Sequence, residues 1–562
     1  MARSIRSRCR PASSAAGMFG AVAVMPKVCL FGALPASRRY GSRVHETEVI
    51  LGLVAVVAAL AALARRIGMP YPILMVVAGM AIGWIPGVPR IELEPEIVFL
   101  VFLPPLLYVA ASFTSIRDFR ANTRPIGLLA IGLVLFTIGT VAAVAHWAIP
   151  GLGWPVAFAL GAIIAPPDAI AATAILQRVG APKRLVTILE GESLLNDATA
   201  LVAYRLALAA AVSGSFSIGE AGFRFVTVAA GGVVLGLAVA SAVTWVRRRV
   251  TDTPISITVG LLTPYVAYLP AEQIGASGVL AAVTAGLYLG RHVSRDLSSE
   301  TRITGAAVWQ MIVFVLNGLV FTLIGLQLPG IVQRLDGIPA GTLLGVGGLV
   351  SLTAIATRFV WMFPATYLPR VVSASLRRRD PNPPWQWAVV LAWAGMRGAV
   401  SLAAALALPH DIPQRDLLIF VTFCVIASTL VGQGLTLPLL IRRLGVVRSD
   451  DTGHEEARAR AATAEAALAR LEDRRPEWAS HGELLDALQA RYTHQATHAE
   501  AHRDGQLGGP EQELLEHRQI RRALIDAERE SAADLHARAA ISDEVRRRIE
   551  RDLDLEELRA EG

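Results

Sequence analysis

Cysteine is nearly absent from this 562-residue chain: Cys9, Cys29 and Cys424 are scattered and match no zinc-ligand or disulfide spacing, so they say little about redox compartment. Charged residues are also scarce, at 18%. Short segments of alternating hydrophobicity are missing, which argues against a transmembrane β-barrel. What the chain has in quantity is apolar side chains, 53% of the total, in repeated runs long enough for the ~20 residues that a bilayer span needs. It reads as an all-α polytopic membrane protein whose first partner is the lipid bilayer.

Thirteen spans are expected, at roughly 47–64, 68–86, 95–112, 125–149, 154–177, 185–212, 222–246, 253–270, 274–290, 305–329, 341–368, 385–408 and 416–441. The loops between them alternate in charge. Arg65/Arg66, Arg117/Arg120/Arg124, Arg178/Lys183/Arg184, Arg247 to Arg249, Arg291/Arg295/Arg302, Arg370/Arg377/Arg378/Arg379 and Arg442/Arg443/Arg448 fall on one side, and only Arg90, Arg334 and Arg415 on the other. The positive-inside rule makes the first set cytoplasmic, with the C-terminus inside and the N-terminus outside, in a cell (plasma or inner) membrane. These loops account for the net charge of +7 without a nucleic-acid partner.

Both ends of the chain differ from its middle. Residues 1–43 hold eight Arg or Lys and no Asp or Glu, which disagrees with an outside location. A signal-like segment over Gly17–Pro35 is one explanation, and an over-extended start with true initiation at Val44 is the favoured one. Residues 44–447 form the membrane domain. Residues 448–562 are rich in Ala, Arg, Glu and His and carry no span. They read as a soluble cytoplasmic helical tail, with stretches at about 453–503 and 511–560 broken at Gly508-Gly509-Pro510. His494, His498 and His502 recur on one helix face there; a solvated polar face is the plain interpretation, and a metal site or pH sensor the alternative.

The chemistry lies in the spans. Asp197 sits near the middle of the apolar stretch Leu185–Val212, where an ionised carboxylate costs at least ~2.5–3.5 kcal/mol and so marks a functional site. Asp168 follows the helix-breaking pair Pro166-Pro167 in the preceding span. Together they can hold a small cation or a proton. Ser193 lies one turn from Asp197 on the same face, with Glu192 and Asn196 on the adjacent stripe. Glu192 needs a partner at that depth, and Arg397, the only charge of its span, is the expected one, flanked by Gly395 and Gly398. Two further arginines fall inside spans and are assigned no role: Arg205 can snorkel outward, and Arg358 has no obvious partner in the sequence. The breaks at Pro166-Pro167 and Gly395/Gly398 lie in the fifth and twelfth spans, which run in opposite directions, the pattern of inverted repeats that each give a broken helix to a central site. Pro104-Pro105 in FLPPLLY needs no such explanation, since prolines are common in membrane helices.

FLPPLLY, APPDAIAA, LEGESLLNDA, FVLNGLVFTLIGLQL and GMRGAVSLA, in this order between Glu46 and Arg443, resemble the sodium/proton antiporter family that holds the bacterial NhaP-type antiporters and the sodium/hydrogen exchangers. The resemblance implies an NhaA-like fold of about thirteen helices with inverted repeats and two broken crossing helices. It also implies a homodimer in which an ion-binding core domain moves against a dimerisation domain. It assigns Asp197 as the cation- and proton-binding aspartate, Asp168 and Ser193 as further ligands of Na+, Asn196 as a supporting hydrogen-bonding residue, and Glu192 with Arg397 as a supporting ion pair. Many members have threonine where this chain has Pro167, which removes one candidate oxygen ligand.

The expected function is secondary-active Na+/H+ antiport, extending to Li+ or K+, for pH and sodium homeostasis. No cofactor and no enzymatic reaction are expected. Asn196 beside Asp197 leaves one ionising group in the pair, hence electroneutral exchange. A potassium/proton antiporter is the alternative within transporters. An intramembrane aspartyl protease would need a GxGD-type segment, and a cation channel a continuous polar lining; neither is present.

Overall fold

The computed structural model describes residues 36–86, 93–213, 217–250, 252–335, 337–446, 451–503, 510–538 and 540–561. The expected signal-like segment lies outside them, and Val44 falls within a helix whose side chains before Leu51 are also outside them.

The described chain is helical, with no strand. In the membrane region the helices are α1 (Ala36–Ile67), α2 (Tyr71–Gly83), α3 (Pro95–Phe113), α4 (Thr123–Ala148), α5 (Trp154–Ile164), α6 (Ala169–Val179), α7 (Lys183–Ser213), α8 (Ile218–Arg247), α9 (Thr253–Gln273), α10 (Gly278–Asp296), α11 (Ser299–Leu326), α12 (Ala340–Val372), α13 (Trp385–Trp393), α14 (Ala399–Leu406) and α15 (Arg415–Arg443). Each expected span coincides with one of them, or with a consecutive pair. Among the described residues, nine segments are long and apolar enough to cross a membrane. The span expected at 385–408, broken into α13 and α14, is not one of them, nor are those expected at 47–64, 68–86 and 274–290. Pro104-Pro105 sits just after a π-helical turn, Val98–Phe102, at the start of the regular part of α3, where their missing N–H groups are least costly.

Two apolar bodies meet along a seam. The larger is built from α4 to α7, α12 to α15 and parts of α1, α2 and α11; Gly79 of α2 and Gly325 of α11 let those two backbones touch, since a Cβ on either would strike the other helix. A smaller cluster gathers α8, α9 and α10 around Tyr108 and Val109 of α3. Between them, Leu194 and Ala198 of α7 pack on Leu103 and Leu107 of α3, Tyr268 of α9, and Val279 and Val283 of α10.

Several loop charges are paired. At one end Asp380 receives Arg124, Arg184 and Arg370 at 3.1, 2.8 and 2.7 Å, which ties α4, α7 and α12 together. Lys183 reaches Asp118 at 3.2 Å, Arg178 the Gly68 carbonyl at 2.8 Å, and Arg248 Asp296 at 3.3 Å. At the other end a 1060 Å³ cavity gathers Glu94, Ala148, Gln327, Arg334, His410 and Arg415.

The tail departs from the two stretches expected. It forms α16 (Asp451–Arg474), α17 (Gly482–Arg503), α18 (Pro510–Ala537) and α19 (Asp543–Glu561), with α16 packed on α17 and α18 on α19. Pro476 follows the end of α16, and Ser542 caps α19 by accepting the Val545 N–H at 3.3 Å. His494 is exposed, while the side chains of His498 and His502 lie outside the described residues.

Candidate functional site

Two broken helices cross at the centre of the larger body. Pro166 and Pro167 lack N–H donors and disfavour helical backbone before them, so α5 stops at Ile164 and α6 starts at Ala169. Asp168 is the N-cap of α6: its Oδ1 accepts the Ile170 N–H at 2.8 Å. The second break runs from Ala394 to Gly398. The two breaks are joined by the Asp168 N–H, which donates to the Met396 carbonyl at 2.7 Å. Both glycines serve close approach: a Cβ on Gly398 would fall on the Asp168 carboxylate, and one on Gly395 would fall on the Arg358 side chain.

Breaking a helix in an apolar core leaves carbonyls without partners, and three side chains take them up. Asn196 Nδ2 donates to the Pro167 carbonyl at 2.7 Å. Arg397 Nη1 donates to the Ala165 carbonyl, just past the end of α5, at 2.7 Å, while its own N–H donates to Thr429 Oγ1 at 3.1 Å. Arg358 Nε donates to the Leu391 carbonyl near the end of α13 at 3.0 Å. A guanidinium therefore stands at the negative, C-terminal end of each leading half-helix, where the helix dipole favours a cation.

The expected ion pair is corrected here. Glu192 pairs with Arg358, not Arg397: its two oxygens accept Nη1 and Nη2 at 2.5 and 2.7 Å, and the side chains are 1% and 2% exposed. The reason is geometric. Arg358, deep within α12, has a fork that satisfies both carboxylate oxygens while Nε holds Leu391, whereas Arg397 is turned toward Ala165. The sequence signal was Arg358 itself, since an arginine that deep in a span must find an anion or carbonyls. Arg205 is half exposed and meets Glu272 at 2.6 Å, and Glu272 also accepts the Gly278 N–H at 3.0 Å.

Asp197 is 7% exposed and lies within electrostatic reach of Asp168. No ion pair reaches either carboxylate among the described residues. Ser193 stands one turn from Asp197 on the same face of α7 and is half-buried. No group of three or more His, Cys, Asp or Glu side chains that could hold a metal occurs among the described residues. Asp168 and Asp197 with nearby oxygens are the candidate ion site.

The profile of the family described as "Sodium/hydrogen exchanger, transmembrane" matches residues 52–443. The chain belongs to this family. An uncharacterised Na+/H+ exchanger of Mycobacterium tuberculosis is 34% identical over 540 residues, 92% of this exchanger and 97% of its own length. A sodium, potassium, lithium and rubidium/H+ antiporter of Bacillus pumilus is 36% identical over 387 residues, covering 66% of this chain and 57% of that one. The solved sodium proton antiporter MjNhaP1 of Methanocaldococcus jannaschii superposes with a TM-score of 0.54 at 18% identity, over 69% of this exchanger and 98% of that chain, a likeness of fold.

Proposed function

We propose that this exchanger carries Na+ inward or outward in obligatory exchange for H+, by alternating access at Asp197 with Asp168 and Ser193 as further ligands. The observation that carries this reading is the charge arrangement at the crossing. The buried arginines are engaged with Glu192 and with helix-end carbonyls, so the cation that neutralises Asp197 has to come from solution. A proton and a metal cation compete for it, and an emptied, charged site is too costly to carry across the bilayer. Only Asp197 of the Asn196-Asp197 pair ionises, which supports one-for-one, electroneutral exchange. Movement of the larger apolar body against the smaller one in a homodimer, with the arginine-rich loops in the cytoplasm of a cell membrane, completes the proposal.

A wider cation range is a second reading with an observation behind it. Pro167 removes a side-chain oxygen that would help select a small dehydrated ion, and the Bacillus pumilus relative is named for four alkali cations. The test is dequenching of a pH dye in proteoliposomes on adding Na+, K+ or Li+. Wild-type protein should respond to Na+, and Asp197→Asn, folded and inserted, to none of the three. Cation-dependent proton movement that persists in Asp197→Asn would overturn the assignment, and a Na+ exchange rate that follows a clamped potential would overturn electroneutrality.

A further inference from the structure

Glu190 belongs to none of the contacts described above. It is a half-buried carboxylate on α7, seven residues after Lys183 at the helix start and seven before Asp197, so roughly 10 Å of helix separates it from each. Positions 190, 193 and 197 follow the i, i+3, i+7 pattern. One stripe of α7 therefore carries a carboxylate, the Ser193 hydroxyl and Asp197 in succession from the arginine-rich end. Leu194 and Ala198, beside that stripe, pack on α3 and α10, which puts the stripe along the seam between the two apolar bodies.

A carboxylate at that depth ordinarily takes a cationic partner. The cations at the start of α7, and the one that reaches α7 at Glu192, are already engaged: Lys183 with Asp118, Arg184 with Asp380 and Asn122, and Arg358 with Glu192. No hydrogen bond or ion pair to the Glu190 carboxylate occurs among the described residues. An unpaired carboxylate that keeps partial exposure inside a span fits a wetted path and not a packed core.

We propose that Glu190 is the capture site for the transported cation on the arginine-rich side. It draws a hydrated monovalent cation from the arginine-rich end into the seam and hands it past Ser193 to Asp197. This rests on the antiport reading of Asp197 and adds a sided, low-affinity step to it. Bringing a cation to within ~10 Å of Asp197 raises its local concentration without entering the chemistry of release, so the residue acts on KM and not on kcat.

The experiment measures Na+/H+ exchange in everted and right-side-out membrane vesicles bearing wild type, Glu190→Gln or Glu190→Asp. Glu190→Gln should raise the KM for Na+ roughly threefold to tenfold at the arginine-rich face only, with kcat unchanged. Glu190→Asp, which keeps the charge, should stay within about twofold of wild type. An unchanged KM, an equal rise at both faces, or a Glu190→Asp variant as impaired as Glu190→Gln would overturn the proposal. Absence of exchange in wild type would instead sink the antiport reading itself, so the two failures are told apart.

Discussion

Replacing Arg358 with Gln should destabilise this exchanger more than any other single change at the crossing. The loss leaves Glu192, 1% exposed, without the guanidinium that binds both its oxygens, and it leaves the Leu391 carbonyl without its donor. A stranded buried charge costs ~3–5 kcal/mol, and the orphaned carbonyl adds about 1 kcal/mol or more. Glu192→Gln is expected at the lower end of that range, because Arg358 keeps Leu391 and can still donate to the amide oxygen. The double variant strands no charge and should be milder than Arg358→Gln alone, with a coupling energy of about 2–3 kcal/mol. Unfolding of the purified protein in mixed detergent, followed by tryptophan fluorescence, gives the four stabilities. The parallel cycle of Glu192→Gln with Arg397→Gln is the control, since the Arg397 side chain is bound to the Ala165 carbonyl, and it should show less than half that coupling. Coupling that is stronger through Arg397 than through Arg358 would refute the reasoning.

Gly398→Ala should abolish exchange and lower thermal stability, because its Cβ has no space beside the Asp168 carboxylate; Asp168 and Met396 cannot both keep their present places. A variant with normal exchange in proteoliposomes would show that the crossing opens freely. Asp380 lies in a loop, where burial alone would raise its pKa; the Arg184 hydrogen bond and the charges of Arg184, Arg370 and Arg124 outweigh this and hold the pKa below the usual carboxylate value. Its stabilisation is therefore fully present above the unfolded carboxylate pKa of ~3.9 and is lost only as pH falls through the lower folded value, so Asp380→Asn should lower the melting temperature equally at pH 5 and pH 8. A difference that disappears by pH 5 would contradict that sign. Truncation after Ser449 should leave Na+/H+ exchange in vesicles intact, because the site residues all lie before it; loss of exchange in a correctly inserted truncation would place part of the machinery in the tail.

How much was legible depended on how local the cause is. Apolar runs and alternating loop charges act over tens of consecutive residues, and the helices fell where they suggested, including the breaks, since Pro166-Pro167 and the glycines at 395 and 398 interrupt a helix by their own chemistry. Pairing between remote helices is another matter. Glu192 and Arg358 are 166 residues apart, and which arginine reaches which carboxylate is decided by depth and rotation of α12 and α13 against α7, which spacing along the chain does not encode. The rule that every deep charge needs a partner still constrained the answer, because leaving Arg358 without one was the weak point of the Glu192–Arg397 assignment. In the tail, Pro476 marked the turn after α16 by its own chemistry, whereas alanine-rich composition runs on past α18, so that turn did not show as a change in pattern.

The two arginines also bear on why the site holds two carboxylates with different freedom. Glu192 neutralises Arg358, and Arg397 faces only the Ala165 carbonyl and the partial negative charge of a helix end, so the crossing holds fewer full positive charges than the carboxylates Glu192, Asp168 and Asp197 require. Asp168 is held twice, by Oδ1 on the Ile170 N–H and by its own N–H on Met396, and it cannot move without loosening both breaks. Asp197 has no such tether on its straight helix. Under the proposed mechanism this makes Asp197 the group that changes occupant in each cycle and Asp168 a fixed ligand that keeps its charge. One exchanging site and one constant charge give a one-for-one count, and an Asp168→Asn variant that retained weak exchange at unchanged stoichiometry would be the direct mark of that division.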